Sequence, residues 1–320
     1  MTITIRLMRE DDADAVREID ALAFWTWARQ VYGEAAQLYR RTRTNVLACR
    51  EKDPRGCFVA AARDHVVGFI FSRTWGGVGW FGTFAVLPEF QGRGIGQRLI
   101  AASLEYLRRK PGRVLGLETM AESPYNLGLY LRQGFQVRFP TLLLSKTLAQ
   151  STADEMDLPY WSSADTPTQE RWLAGLRETT NCIQAGLDYT KEIVSNAHFN
   201  LGETLVLTDG SSAVGMSVVR LASSHEAQSA ERASVQALAL HPEYTEGNTL
   251  HALLDATEAL ACAHGLRTVT IPANARHTWA LQRLLRWGYR VERMAVHMIL
   301  DGTDDGPSTD NLVDFSRWAG

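Results

Sequence analysis

The chain has 320 residues, of which 45% are hydrophobic and 22% charged, and this length and composition are typical of a globular protein with two domains. They exclude collagen-like and disordered chains, and no apolar run approaches the roughly 20 residues of a membrane-spanning helix. The net charge of −3 conceals an asymmetry, since residues 1–150 carry 21 Lys and Arg against 14 Asp and Glu, whereas residues 151–320 carry 12 against 22. The basic half suggests a bound anion and the acidic half an attraction for cations, although solubility alone also accounts for both.

Strand and helix patterns alternate along the first half. Thr2–Leu7 alternates like a strand, and the acidic stretch Glu10–Asp14 begins a helix through Ala23, followed by an aromatic-rich region from Phe24 to Tyr39. Further strands are predicted at Phe58–Arg63, Val66–Arg73, Trp80–Val86 and Val114–Thr119, and a final pair of strands within Phe135–Ser145. Helices are predicted at Gly94–Lys110 and Pro124–Gln133. This alternation predicts a layered α/β domain.

Two features bear on the cellular compartment. The N-terminus becomes charged too early to contain a secretory segment. The cysteines, Cys49, Cys57, Cys182 and Cys262, have neither paired nor metal-binding spacing, which indicates reduced and mostly buried thiols. We therefore expect a cytoplasmic protein without disulfides or a metal site.

The second half repeats the first after a linker rich in Ser, Thr, Asp and Pro at residues 147–170. A hairpin of Leu205–Thr208 and Ala213–Arg220 is followed by strand, helix, strand and helix patterns. Val86-Leu-Pro-Glu-Phe90 matches Leu240-His-Pro-Glu-Tyr244, and Leu131-Arg-Gln-Gly-Phe135 matches Leu285-Arg-Trp-Gly-Tyr289. Both matches have an offset of 154 residues (240 − 86 and 285 − 131), which predicts two copies of one domain.

The strongest local signal is a glycine-rich stretch after the strand that ends at Val86. Gly92, Gly94 and Gly96 alternate immediately before a helix, whose first N–H groups lack intrahelical partners. These groups and the helix dipole form a cradle for a phosphate, which glycine lets approach closely. Arg93 and Arg98 would add positive charge.

Two other phosphate-binding motifs fit this stretch less well. A P-loop requires Gly-Lys-Ser or Gly-Lys-Thr where Gln97-Arg98 stand. A dinucleotide-binding motif requires a glycine at position 97 and an acidic residue about 20 positions further on, where Leu115 stands.

Two separated motifs together resemble the GNAT superfamily of N-acetyltransferases: Val86-x-Pro88 with Gln91-x-x-Gly94-x-Gly96, and Leu129-Tyr130-x-x-x-Gly134-Phe135. The resemblance covers residues 1–146 and, in degraded form, about 200–300. It implies an α/β (α+β) fold of two tandem GNAT-like domains, each with a mixed, mostly antiparallel central sheet flanked by helices. It also implies that the glycine loop binds the pyrophosphate of acetyl-CoA, and that the preceding strand splays from its neighbour to hold the pantetheine arm.

The resemblance assigns roles to individual residues. Those that would bind the cosubstrate acetyl-CoA are Phe84, Ala85, Val86, Gln91, Gly92, Arg93, Gly94, Ile95, Gly96, Gln97 and Asn126. A backbone N–H near Val86 would stabilise the oxyanion, and Tyr130 stands where the family keeps the acid that protonates the departing thiolate. Asn126 is one helical turn before Tyr130, although Ser123 occupies the family's usual asparagine position.

The general base is predicted to be Glu118 or a water molecule. Glu118 ends the strand Val114–Thr119 and precedes Tyr130 by twelve residues (130 − 118). Ribosomal-protein N-terminal acetyltransferases, which the chain resembles here, place a catalytic glutamate at that spacing.

The second copy has lost these residues. At the offset of 154, Gln91, Gly94 and Gly96 become Thr245, Asn248 and Leu250, while Glu118, Asn126 and Tyr130 become Pro272, Ala280 and Leu284. Because side chains at 248 and 250 would crowd a pyrophosphate, we predict a degenerate second domain without acetyl transfer. We expect it either to close the acceptor pocket, with an acidic surface that favours cationic amines, or to bind a regulatory ligand.

The sequence therefore predicts a catalytic domain at 1–148, a linker at 149–170, a degenerate domain at 171–302 and a tail at 303–320. The predicted reaction is direct transfer of acetyl from acetyl-CoA to a primary amine of a small molecule or peptide. The alternatives are an acyl-CoA-binding sensor without turnover and an enzyme of the mycothiol synthase type, whose active half is the C-terminal one. We expect no nucleic acid or membrane partner, and either a monomer or a homodimer.

Overall fold

A computed structural model describes residues 2–110, 112, 114–149, 158–226, 232–246, 248–303, 311–316 and 318. Within these ranges the strands are β1 (Ile3–Leu7), β2 (Phe58–Ala62), β3 (His65–Trp75), β4 (Val78–Val86), β5 (Val114–Met120), β6 (Phe135–Val137), β7 (Thr141–Thr147), β8 (Gly202–Asp209), β9 (Ser212–Arg220), β10 (Arg232–Leu240), β11 (Thr268–Asn274), β12 (Arg290–Leu300) and β13 (Val313–Ser316). The α-helices are α1 (Ala13–Tyr32), α2 (Arg43–Lys52), α3 (Ile95–Arg108), α4 (Pro124–Leu131), α5 (Thr166–Ile183), α6 (Thr190–His198), α7 (Thr249–Ala263) and α8 (Thr278–Arg286).

The first half forms the predicted mixed sheet. Strands β1 to β4 are antiparallel neighbours in chain order, and β5 lies parallel to β4. Helix α3 buries an apolar side that includes Ile95 and Leu99 on one face of this sheet, while α1 and α2 cover the opposite face. The prediction that the first helix ends at Ala23 is wrong, because α1 continues to Tyr32 and ends at Gly33, whose φ of +64° is left-handed.

The last strands of the two halves are exchanged. Strand β12, from the end of the second half, pairs with β5 of the first half, and β7 of the first half pairs with β11 of the second. Strands β7 and β12 also pair with each other. The result is one continuous sheet in the order β1-β2-β3-β4-β5-β12-β7-β11-β10-β9-β8.

The exchange follows the sequence repeat. Ala295 lies opposite Met120, and Thr141 lies opposite Asn274. Since Ala295 and Asn274 are the counterparts of Thr141 and Met120 at the offset of 154, both exchanged pairs have the same register. Each half therefore completes the sheet of the other in the same way.

The predicted C-terminal tail contains a strand. Strand β13 pairs antiparallel with residues 237–240 of β10. Val313 and Phe315 are completely buried in the core under α7, and Trp318 packs against Trp80 of the first half at a ring distance of 4.7 Å. The end of the chain thus joins the two halves.

Two smaller expectations also change. Helix α5 begins at Thr166, inside the segment predicted as a linker, because the side chain of Asp165 accepts a hydrogen bond from the N–H of Thr168. All four cysteines are free, but Cys182 is exposed and Cys262 partly so, and only the other two are buried.

None of the helices in the described ranges is long and apolar enough to cross a membrane.

Candidate active site

The predicted splay lies between β4 and β5. The two strands pair only where Val78, Gly79 and Trp80 meet Val114, Leu115 and Gly116. Beyond these residues they diverge, and β4 shifts its register against β3 between Phe81 and Phe84. This divergence opens a gap at the carboxyl end of β4, next to the glycine-rich loop.

Of the three β4 residues that the sequence predicts to bind acetyl-CoA, two direct their backbone N–H groups into this gap. The N–H of Leu87 donates to the carbonyl of Val67 on β3 at 2.9 Å. Because successive residues of a strand alternate in direction, Phe84 and Val86 turn their N–H groups away from β3 and towards the gap. Ala85 faces the other way, towards β3, and its side chain is buried in the core under α1.

The glycine-rich loop leads from this gap into α3. Gly92 and Gly94 have φ values of +74° and +73°, which side chains disfavour, and no protein atom lies within 4 Å of a Cβ built at Gly92. No side chain caps α3, so the first N–H groups of the helix point out of the protein with the positive end of the dipole. A Cβ at Gly96 would lie 3.5 Å from the ring of Phe84. These features fit a pyrophosphate.

Side chains around the loop hold its shape. Gln91 donates through Nε2 to the carbonyl of Val86 at 2.9 Å, which ties the loop to the end of β4. Arg93 and Arg98 donate to the carbonyls of Glu89 and Ile3, at 2.9 and 3.0 Å, and keep their charge at the exposed rim. Ile95 is 2% exposed, so only its backbone faces the loop, whereas Gln97 is exposed.

Tyr130 of α4 lies among three aromatic rings at the same end of the sheet. Its ring centroid is 6.0 Å from Phe81, 6.3 Å from Phe84 and 6.1 Å from Phe135. The residue is 4% exposed, and its hydroxyl has no hydrogen-bond partner within the described part of the chain. Burial raises the pKa of Tyr130, so the hydroxyl keeps its proton at neutral pH.

The comparisons with known proteins agree with this arrangement. The sequence model described as acetyltransferase (GNAT) family matches residues 16–135, which span the loop and Tyr130. Residues 16–135 therefore resemble a domain of this family, and this matched segment is called the GNAT domain. Domains of this family in general use acetyl-CoA as the donor and transfer its acetyl group to amines.

Solved structures match the whole chain. A proposed acetyltransferase of Pyrococcus horikoshii superposes with a TM-score of 0.69 at 18% identity, covering 99% of this chain and 95% of that one. A GCN5-related N-acetyltransferase from Sphaerobacter thermophilus superposes with a TM-score of 0.61 at 16% identity, covering 96% of this chain and 98% of that one. A tandem GNAT protein from the clavulanic acid biosynthesis pathway superposes with a TM-score of 0.58 at 14% identity, covering 96% of this chain and 100% of that one. A search of curated proteins finds no match. The predicted fold of two tandem GNAT-like halves is confirmed.

Asn126 belongs to the first turn of α4 in the GNAT domain. Ser123, at the family's usual asparagine position, accepts a hydrogen bond from the backbone N–H of Asn126 at 3.4 Å and so caps the helix. The side chain of Asn126 is partly exposed and forms no hydrogen bond within the described residues. Its amide is therefore free to bind a ligand.

Glu118 lies on the opposite face of β5 from Tyr130. Leu115 and Leu117 pack in the core with Tyr130, so alternation directs Glu118 to the other face. Its carboxylate accepts hydrogen bonds from Thr141 of β7 and from His297 of β12, the latter at 3.2 Å. The side chain of Glu118 is 3% exposed and lines a small cavity of about 20 Å³, which is room for one water.

The sequence did not predict that the second half contributes to this region. His297 lies opposite Glu118 in the register of the exchanged strands, and its ring lies 4.8 Å from Trp80 and 5.4 Å from Trp318. His297 belongs to no local motif, and only knowledge of the exchange would have placed it beside Glu118.

In the second half the two strands equivalent to β4 and β5 also diverge, but another strand occupies the gap between them. Strands β10 and β11 pair only over residues 232–234 and 268–270, the counterparts of the paired segments of β4 and β5. Strand β13 then pairs with residues 237–240, which correspond to 83–86 at the offset of 154. At the position of Gly96 stands Leu250, which is 1% exposed in the core.

Proposed function

We propose that the chain is an acetyl-CoA-dependent N-acetyltransferase whose first half binds acetyl-CoA and whose acceptor is a primary amine. The observation that carries the proposal is the combination of one splayed strand pair, one uncapped glycine-rich helix start and one buried tyrosine within the same GNAT domain. The second half offers none of the three in an accessible form. An intracellular, cytoplasmic location is part of the same proposal.

In the proposed reaction the neutral amine attacks the thioester carbonyl, a C–N bond forms and the C–S bond breaks. The N–H of Val86 faces the gap and would stabilise the negative charge that develops on the carbonyl oxygen. The phenol of Tyr130 would give its proton to the departing thiolate. Gly92 to Gln97 would hold the pyrophosphate, with Gln91 fixing the loop and Asn126 bonding the pantetheine arm.

The general base stays open between the two predicted candidates. The carboxylate of Glu118 already accepts hydrogen bonds from Thr141 and His297, and its side chain is 3% exposed. This burial favours water as the proton acceptor, with Glu118 holding β5, β7 and β12 in register.

Replacement of Glu118 by glutamine tests this assignment. We expect Glu118→Gln to lower stability by about 1–3 kcal/mol, because a charge-assisted pair of hydrogen bonds is weakened, and to keep kcat/KM within about tenfold. Thr141→Val is the matched control, since it removes one of these hydrogen bonds and keeps the carboxylate. A loss of 100-fold or more in Glu118→Gln alone, with an unchanged Tm, would instead identify the carboxylate as the base.

The second half is proposed to be inactive in transfer. Strand β13 pairs with the edge of β10 that corresponds to the pantetheine-binding edge of β4, and Leu250 stands in place of Gly96. This arrangement is the reverse of the mycothiol synthase type, in which the second half is active. The proposed catalytic domain is 1–148 and the proposed degenerate domain 171–302, whereas the segments proposed as a linker, 149–170, and as a tail, 303–320, contain the start of α5 and strand β13.

The experiment that tests the function is steady-state CoA release with a panel of amines. Continuous release that depends on both the amine and acetyl-CoA, with an acetylated product, supports the enzyme. Saturable binding of acetyl-CoA without turnover on any amine would favour the sensor.

A further inference from the structure

Four basic side chains meet in the interior between the α1–α2 face of the GNAT domain and the second half. They surround the thiol of Cys49 on α2, and Arg73 Nη2 lies 3.8 Å from its sulfur. Burial alone would raise the pKa of Cys49, but the surrounding charges lower it overall: Arg73, Arg41, Lys52 and Arg220. We call these four residues the basic cluster.

Two members of the basic cluster are paired with carboxylates. Arg41 donates through Nε to Asp20 at 3.1 Å and through Nη1 to Asn45 at 3.1 Å. The second oxygen of Asp20 is buried without a partner. Lys52 forms an ion pair with Glu192 of α6, and both side chains are less than a tenth exposed.

The other two members form no ion pair within the described residues, although the charge of Glu192 acts on both of them. Arg73 is 6% exposed, and its Nε is buried without a hydrogen bond. Within the described residues its side chain donates one hydrogen bond, from Nη2 to the sulfur of Cys49. The Nε of Arg220, at the end of β9, is also buried without a hydrogen bond, and burial lowers the pKa of this side chain. Within the described ranges neither guanidinium forms an ion pair.

This imbalance has a physical meaning. Four cations face two carboxylates, Asp20 and Glu192; Arg73 is 6% exposed, and Arg220 is partly buried. A buried charge without a partner costs several kcal/mol, and a guanidinium offers donors in a fork that matches an oxyanion. Two such groups without partners are the signature of a site that an anion completes.

The basic cluster is connected to β4 through Arg41. Arg41 donates through Nη2 to the hydroxyl of Thr83 at 3.0 Å, and Thr83 immediately precedes Phe84. Arg73 follows Phe69 and Phe71 on the side of β3 that faces α1 and α2. Arg220 comes from the second half, whose loop beyond β9 pairs with the chain near Thr42 through a hydrogen bond of 2.9 Å from Thr42 N–H to Ser224 O.

We propose that Arg73 and Arg220 bind an oxyanion carried by the acceptor, so that the substrate is an amine with a carboxylate or phosphate group. The proposal rests on the proposed acetyl transfer. It gives the second half a role in recognition, because Arg220 belongs to it. It also replaces the expectation that cationic amines are preferred, since a cation would meet two unpaired guanidinium groups.

The first test does not depend on activity. We expect inorganic phosphate to raise the Tm of the wild type above its value in chloride at equal ionic strength, and this shift to disappear in Arg73→Met and Arg220→Met. In chloride alone both variants should have a Tm close to that of the wild type, because neither arginine forms an ion pair within the described residues. Arg109→Met, at a side chain that is 74% exposed, is the matched control and should keep the phosphate shift.

The second test compares amines of similar size: β-alanine, 2-aminoethyl phosphate, ethanolamine and 1,3-diaminopropane. We expect kcat/KM for one of the two anionic amines to exceed that for ethanolamine by about 30-fold or more, which is the low end of the effect of a buried charge pair. Arg220→Met should reduce this ratio to about one, whereas Arg109→Met should keep it. The two anionic amines distinguish a carboxylate from a phosphate.

The outcomes separate this inference from the function on which it rests. A rise in Tm with phosphate that depends on Arg73 and Arg220, without acetylation of any amine, would support the anion site and contradict the proposed acetyl transfer. Acetylation with no preference for anionic amines would overturn the assignment of the acceptor. A Tm that is insensitive to phosphate would overturn the anion site itself, and so would variants that are strongly destabilised in chloride.

Discussion

Leucine at both Gly94 and Gly96 is expected to abolish acetyl-CoA binding, with a loss of affinity of more than about 100-fold. Gly94 has a φ of +73° at the start of α3, where a side chain costs about 1–2 kcal/mol and forces the loop to change shape. At Gly96 a Cβ would already lie 3.5 Å from Phe84, so a leucine would enter the gap between β4 and β5. Both changes act on the cradle and leave the apolar side of α3 intact.

Titration calorimetry of acetyl-CoA measures this effect together with the stoichiometry. The wild type should bind one molecule per chain, and the Gly94→Leu/Gly96→Leu variant none, with an unchanged circular dichroism spectrum. Asn248→Leu, at the position of the second half that corresponds to Gly94, is the matched control and should bind like the wild type. Two sites per chain, or binding that survives in the double variant, would show that the second half binds the donor.

Tyr130→Phe is expected to lower kcat by about 10²- to 10³-fold, because the departing thiolate would lose its proton donor. The KM for acetyl-CoA should change little, since the phenylalanine ring keeps the contacts with Phe81, Phe84 and Phe135. The Tm should stay the same or rise, because the hydroxyl that is removed has no partner in the described part of the chain.

Tyr289→Phe provides the comparison for this variant. Tyr289 is also buried, but its hydroxyl donates to Glu258 at 2.9 Å in the second half. We expect this variant to lose stability and to keep kcat. A Tyr130→Phe enzyme with kcat within threefold of the wild type would contradict the acid role.

Local sequence predicted the parts of the fold that depend on local signals. The glycines at 92, 94 and 96 predicted the start of α3, and alternating apolar residues predicted β1 to β5 to within a few residues. Helix α1 extends beyond its predicted end because the signal that stops it is Gly33, after an aromatic stretch that does not disfavour helix. Strand β13 was not predicted, because four residues in a polar tail carry no periodicity.

The strand exchange could not be predicted for a different reason. Because the two halves are repeats, β7 and β12 occupy equivalent positions in the sequence, and no local pattern specifies which of them lies beside β5. For the same reason the sequence did not predict the contacts of His297 and Arg220, which depend on how the two halves are placed relative to each other. Arg220 ends an apolar strand, where the pattern predicts an exposed charge, yet its Nε is buried without a hydrogen bond.

The exchange also determines when the protein can be completed during synthesis. Strand β5 leaves the ribosome well before its final neighbour β12, which is separated from it by most of the second half. During that interval the matching register makes β7, the equivalent strand of its own half, the available partner for β5. We therefore expect the nascent first half to close its sheet with β7 and to exchange this pairing for β12 once the second half has been synthesised.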